Sequence, residues 1–236
     1  PYARFVPETD GLYVIKSDCA QYSYRELYDS NKNRIRNEEC NGHSSFAALL
    51  SAGETYYFRA NDAYDNGAQS VELTVIQAED VVIKAGETLT DSVVSGDTSY
   101  IRFVPEKSGE YIFTMPSENY MYASLYDENF ETVGYYAYKD RVFELRAFLK
   151  EGETYYLKAS NYSSYERIDV SLVMEEELSI KTDETLKAEF DKEYTPYIRF
   201  VPEKDGRYIF TAETNDYAYL YLYDEDLEML ANSYVS

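Results

Sequence analysis

A five-residue string, Arg-Phe-Val-Pro-Glu, occurs three times in this chain, at residues 4–8, 102–106 and 199–203. Its offsets, 98 and then 97 residues, are shared by other landmarks. Six residues after each Phe stands a glycine (Gly11, Gly109, Gly206), and two residues later a tyrosine (Tyr13, Tyr111, Tyr208). Leu27-Tyr28-Asp29 returns as Leu125-Tyr126-Asp127 and as Leu222-Tyr223-Asp224. Gly-Glu-Thr-Tyr-Tyr at 53–57 returns at 152–156, an offset of 99. Landmarks kept in order at a near-constant spacing mark a tandem repeat, here of just under 100 residues, and a unit of that size can bury a core of its own.

The repeat divides the chain into residues 1–78, 79–176 and 177–236. The middle copy is whole and opens with Val81-Val82-Ile83-Lys84-Ala85-Gly86-Glu87-Thr88-Leu89, matched at 178–186. The first copy begins at Pro1 without that opening strand, and the third stops at Ser236 before its own Gly-Glu-Thr-Tyr-Tyr. We read the chain as a window onto a longer protein. Disorder, or a neighbouring chain, would be other ways of completing the end copies.

Within the middle copy, short alternating runs are separated by turn signals, the pattern of an all-β sandwich. Tyr100-Ile101-Arg102-Phe103 is one such run, closed by Pro105, which has no N–H for a ladder. Residues 111–115, 120–126, 135–138, 142–145, 154–159 and 168–173 supply the others, and only 145–149 reads as a possible helical turn. About eight strands per copy suit a jelly-roll-like antiparallel β-sandwich.

The third copy sets the facing of side chains. In Tyr217-Ala218-Tyr219-Leu220-Tyr221-Leu222-Tyr223 the alternation puts Ala218, Leu220 and Leu222 on one face and four tyrosines on the other. The middle copy matches, with Met121, Ala123 and Leu125 opposite Tyr120, Tyr122 and Tyr126. In the first copy Tyr22, Tyr24 and Tyr28 hold the tyrosine places, while Arg25 stands in the aliphatic row. The aliphatic face is the expected core. Tyr111 and Tyr155 are expected in the core as well, whereas Tyr120, Tyr122, Tyr126, Tyr156, Tyr217, Tyr219, Tyr221 and Tyr223 are expected to face outward. An outward row of tyrosines is either a platform for sugar rings or a fibrous protein, or a set of rings packed on one another or on the next repeat. The absence of tryptophan counts against a tight sugar site.

The two cysteines, Cys19 and Cys40, lie only in the first copy, and their expected state is a disulfide. A metal or redox site built from Cys19, Cys40 and His43 has only three ligands and lacks a Cys-x-x-Cys spacing. Calcium is the one cofactor to weigh. Asn61, Asp62, Asp65 and Asn66 cluster before Gly67, with Asp62 and Asp65 the candidate ligands, and Asp127 and Asp224 lie in equivalent acidic turns. None has EF-hand spacing, and Asp and Asn are also the residues that stabilise tight turns. With 44 acidic against 22 basic residues, a net charge of −22, the chain is a poor partner for nucleic acid or anionic lipid. No apolar run is long enough for a membrane span.

An aromatic Phe-x-Pro strand (103–105), Ser108-Gly109-x-Tyr111, Leu125-Tyr126-Asp127 and Gly152-Glu153-Thr154-Tyr155-Tyr156, in that order, resemble the bacterial pre-peptidase C-terminal domain. The resemblance implies a jelly-roll-like sandwich in a secreted or surface protein, often beside a peptidase or glycosidase. Some relatives in clostridial collagenases bind collagen through surface tyrosines and carry calcium. None of the matched positions is catalytic. With one histidine and no nucleophile or phosphate-binding motif, the chain is expected to be no enzyme. The leading expectation is a non-catalytic array on a secreted or surface-displayed bacterial protein, contacting extracellular polysaccharide or a fibrous protein through its tyrosines. A structural stalk or fibre segment is the second, and a collagen-type accessory domain of a secreted hydrolase the third.

Overall fold

A computed structural model describes residues 2–19, 22–40, 42–62, 71–94, 98–117, 121–139, 141–160, 167–188, 196–214, 217–225 and 227–235. The described residues are all-β, and the first two copies are β-sandwiches. In the first copy the strands are β1 (Ala3–Phe5), β2 (Gly11–Cys19), β3 (Ser23–Tyr28), β4 (Arg34–Cys40), β5 (His43–Leu50), β6 (Tyr56–Asp62) and β7 (Val71–Gln77). They form two sheets, ordered β1-β6-β3-β4 and β5-β2-β7. The second copy opens with β8 (Val81–Val82), β9 (Thr88–Val94), β10 (Thr98–Phe103), β11 (Gly109–Pro116) and β12 (Tyr122–Tyr126). It continues with β13 (Thr132–Val133), β14 (Tyr135–Lys139), β15 (Val142–Leu149), β16 (Tyr155–Ser160) and β17 (Arg167–Met174). Its sheets are ordered β13-β12-β16-β10-β8 and β14-β15-β11-β17-β9.

The two sandwiches share their pairings. Phe5 lies opposite Tyr56 as Phe103 lies opposite Tyr155, and Gly11 opposite Leu50 as Gly109 opposite Leu149. Tyr28 faces Tyr57 as Tyr126 faces Tyr156. Alternation puts one side of each strand into the core. In β15 every second residue from Phe143 to Leu149 is buried, so 145–149 is strand and not the helical turn that its sequence allows. Here pairing with β11 and β14 outweighs local propensity. The second core joins Phe103, Phe113, Leu125, Phe143, Leu157 and Leu172, among others.

The recurring motifs are joined by hydrogen bonds. Gly53 and Gly152 adopt φ of +75° and +76°, where a side chain would be strained. Each donates its N–H to the carbonyl of the motif proline, Pro7 at 2.9 Å and Pro105 at 3.0 Å. Proline cannot donate, but its carbonyl is free to accept. The tyrosines that recur two residues after the motif glycine close a second corner: Tyr13, Tyr111 and Tyr208 donate their hydroxyls to the carbonyls of Thr9, Lys107 and Lys204 at 3.0, 2.8 and 2.6 Å. Each ring lies edge-on to the motif phenylalanine, with centroids 4.9–5.5 Å apart.

Arg25 is fully buried in the first sandwich, in the place of Ala123. Its guanidinium donates to the hydroxyls of Ser17 (3.2 Å) and Ser23 (2.8 Å) and to the Tyr24 carbonyl (3.2 Å), and burial lowers its pKa. Nearby, Cys19 and Cys40 are joined by a disulfide between the ends of β2 and β4.

The chain divides into two compact units: Pro1–Leu178 with Glu189–Tyr197, and Ser179–Ala188 with Ile198–Ser236. The first two copies thus form one unit. In the last third, β18 (Leu178–Ile180) pairs with β19 (Ile198–Phe200), and β20 (Ala218–Tyr223) pairs with β21 (Met229–Val235).

Two outcomes are expected. Phe113 is 0 % exposed, held between β15 and β17. Phe113→Ala should cost about 3–5 kcal/mol in urea denaturation. The second concerns Tyr155, whose phenol is pushed from 10 to about 12 by burial first, and further by its hydrogen bond to Glu153, against the opposing Lys150 amide. Unfolded, that phenol ionises near 10; folded, it keeps its proton to about 12. The contribution is therefore complete below pH 10 and lost as pH rises through about 12. Urea midpoints across that range should fall less steeply for Tyr155→Phe.

Candidate functional site: the tyrosine faces

The outward tyrosines fall into three environments. Tyr122, on β12, is 59 % exposed. Tyr126 is half-buried, and Tyr156, on the outer side of β16, is only 7 % exposed. Tyr120 lies outside the described residues. Tyr217, Tyr219, Tyr221 and Tyr223 are all exposed, the first two at 71 % and 66 %. Sequence alternation assigns Tyr156 to the correct side of its sheet. What covers that side is the first repeat.

The covering contact is a compact cluster. Val14 of β2 and Ala47 of β5 pack against Tyr100, Phe130 and Tyr156, with Leu12, Ala78 and Tyr126 at its margin. The outer face of the β5-β2-β7 sheet is thus laid on the outer face of the β12-β16-β10 strands. Phe130 stacks on Tyr156 at 5.4 Å and 11°. The Arg36 guanidinium lies 5.1 Å from the Phe130 ring and donates to the Phe130 carbonyl at 3.0 Å. Lys158 Nζ donates to the Ser45 carbonyl at 3.1 Å, and the Ser45 and Thr98 hydroxyls lie 3.0 Å apart. Burial raises the Tyr156 pKa, partly countered by Arg102. Small residues on one side let flat rings on the other approach closely, which is the physical basis of the fit.

Phe130 has no place in the sequence reading, because it stands in a polar turn. That turn is built alike three times. Asp29, Asp127 and Asp224 accept at a side-chain oxygen from the amides of Asn33, Glu131 and Glu228 at 2.8–2.9 Å. The turn's fourth residue, Lys32, Phe130 or Leu227, takes φ of +68°, +60° or +62°. These carboxylates stabilise their own turns, an ordinary role for Asp. A large apolar residue at such a position is the signal for Phe130, since a side chain held in left-handed backbone has to be compensated.

In the first copy the same face carries an exposed Tyr2 beside half-buried Tyr28 and Tyr57. Tyr2, Tyr28 and Tyr57, the counterparts of Tyr100, Tyr126 and Tyr156, meet edge-on at 5.7 and 6.2 Å. Lys32 replaces Phe130 and rests over Tyr2, 4.2 Å from its centroid. In the third copy Tyr219 stacks on Tyr221, and Tyr221 on Tyr223, at 6.1 and 6.2 Å. Tyr234 of β21 joins Tyr217 at 5.7 Å and 15°.

Among the described residues, no group of three or more His, Cys, Asp or Glu is placed to hold a metal ion. Asp62 ends β6, and Asp65 lies outside the described residues. His43 opens β5 opposite Asp18, and the cysteines are paired with each other. A cleft of about 290 Å³ opens where the repeats meet, lined by Asp10, Leu12, Glu79, Tyr100 and the Arg102–Asp80 ion pair at 2.8 Å. Neither a comparison with models of protein families nor one with curated proteins finds a match to this chain.

The junction should be cooperative. Replacing both Phe130 and Tyr156 with Ala removes the stacked pair, and each Phe→Ala-type truncation at such a site costs about 3–5 kcal/mol. In calorimetry the first two sandwiches of the double variant are expected to melt separately, where the native chain melts them together.

Proposed function

We propose that this chain is a non-catalytic structural segment, a stalk built on the face-to-face clamp between its first two sandwiches. One observation carries the reading: Tyr156, the outward tyrosine at the centre of its sheet, is buried under the preceding repeat. A ligand platform would keep that ring in solvent. Burying a ring stack with its hydrogen bonds restrains the hinge between two domains, which otherwise move by default. The acidity of the chain suits such a role, since like charge keeps a solvent-exposed stalk soluble and unassociated. The likeness of its turn motifs to pre-peptidase C-terminal domains fits a secreted or surface-displayed bacterial protein.

Nuclear magnetic relaxation of the full chain tests the proposal. Amides of β2 and β11 should report one shared rotational correlation time. Independent values for the two sandwiches would sink the stalk.

A second reading rests on a different observation, the exposed ladder from Tyr217 to Tyr223. Stacked, solvent-facing rings suit sugar planes or a fibrous protein. A pull-down on insoluble polysaccharide and collagen should then deplete the native chain and spare Tyr219→Ala/Tyr221→Ala. If both stay in the supernatant, the platform is wrong.

A further inference from the structure

The cleft of about 290 Å³ between the first two repeats has two walls of different chemistry. The first repeat supplies an apolar one. Leu12 of β2 and Leu49 of β5 are cross-strand partners there, and Leu49 is 44 % exposed. The second repeat supplies a polar one. Arg102 of β10 holds Asp80 through two hydrogen bonds of 2.8 Å, from Nε and Nη2, which leaves Nη1 without a partner among the described residues.

Tyr156 stands directly opposite Arg102 in the ladder, so the two side chains rise from the same face as neighbours. Its ring is the one stacked on Phe130, and more than nine-tenths of the residue is buried. Its hydroxyl nevertheless has no hydrogen-bond partner among the described residues, although Arg102 and Asp80 both act on its ionisation. A tyrosine buried this deeply ordinarily has a partner for its hydroxyl. Here the ring lines the cleft, so a ligand in the cleft can be that partner.

Charge and size narrow the class of ligand. Asp10, Glu79 and Asp80 against Arg102 leave the lining net negative, which disfavours an anion. Among the described residues no group of carboxylates converges to grip a metal cation. A neutral hydroxyl both donates and accepts. A vicinal diol can therefore donate to Asp80 while accepting from Arg102 Nη1 and the Tyr156 phenol. The C–H face of a sugar ring suits Leu12, Leu49 and the Tyr100 ring. The volume lies at the low end for ligand pockets, room for one ring and not for a chain.

We propose that this cleft binds one neutral hexose. The site needs the junction between the repeats but not its role as a stalk, and it is separate from the ladder at Tyr217–Tyr223. Because the sugar touches both repeats, binding also tightens the clamp.

Amide shifts of the full chain, titrated with glucose, galactose and mannose, test the proposal. At least one sugar should move the amides of Leu12, Val81 and Arg102, with half-saturation near about 10 mM. Glucuronate, an anion of similar shape, should bind about fivefold more weakly or worse. Tyr156→Phe keeps the stacked ring and should weaken binding about tenfold. Leu49→Glu, at an exposed position outside the stack, should weaken it too. Tyr219→Ala/Tyr221→Ala should bind as the native chain does. No movement with any of the three sugars at about 100 mM overturns the proposal. So does equal binding by glucuronate, native affinity in Tyr156→Phe or Leu49→Glu, or loss of binding in the Tyr219/Tyr221 variant.

Discussion

β16 has both edges paired and both faces covered. Its edges carry β10 and β12, its inner side places Tyr155, Leu157 and Ala159 in the core, and its outer side presses Tyr156 on the first repeat. A strand with an unpaired edge exposes N–H and C=O groups, and a strand with a bare apolar face exposes area that water disfavours. β16 satisfies all four requirements at once. The sandwich core, the register of the sheet and the junction between repeats all run through it.

The Leu-Tyr-Asp turn shows how one scaffold serves different ends. Its backbone hydrogen bonds and left-handed residue are the same in all three copies, while the side chain at that residue differs from copy to copy. Phe130 completes a buried stack, while Lys32 sits over exposed rings. The backbone thus sets where a group is presented, and the residue at that position sets whether a flat ring or a cation meets the neighbouring tyrosines. This is why repeats of nearly constant framework need not share a binding property.

Much of the fold was legible in the sequence. Alternation is a local property, so the facing of Leu125, Tyr126 and Tyr156 could be read from it, as could the glycine turns. Other features depended on residues far along the chain. The cover on Tyr156 comes from Val14 and Ala47, more than 100 positions away, and nothing in β16 itself distinguishes a solvated face from a stacked one. Arg25 stood out in an aliphatic row, and its hydroxyl partners are near in sequence, but Ser17 reaches it from a different sheet, which only the packing of the two sheets sets. Phe130 was hidden because turns are ordinarily polar.

Residues 102–114 and 199–211 make the division plain, since they differ only at Ser108 against Asp205 and Glu110 against Arg207. Both close the same corner, with the tyrosine hydroxyl on a carbonyl four residues back and its ring against the phenylalanine. That much the sequence determined alone, because every partner lies within a few residues. In the second repeat the segment goes on into β11, held between β15 and β17 with Phe113 fully buried. In the third it forms no strand, and Phe210 is exposed. Only the tertiary structure decided between these states, because a strand's hydrogen bonds and buried face belong to its neighbours.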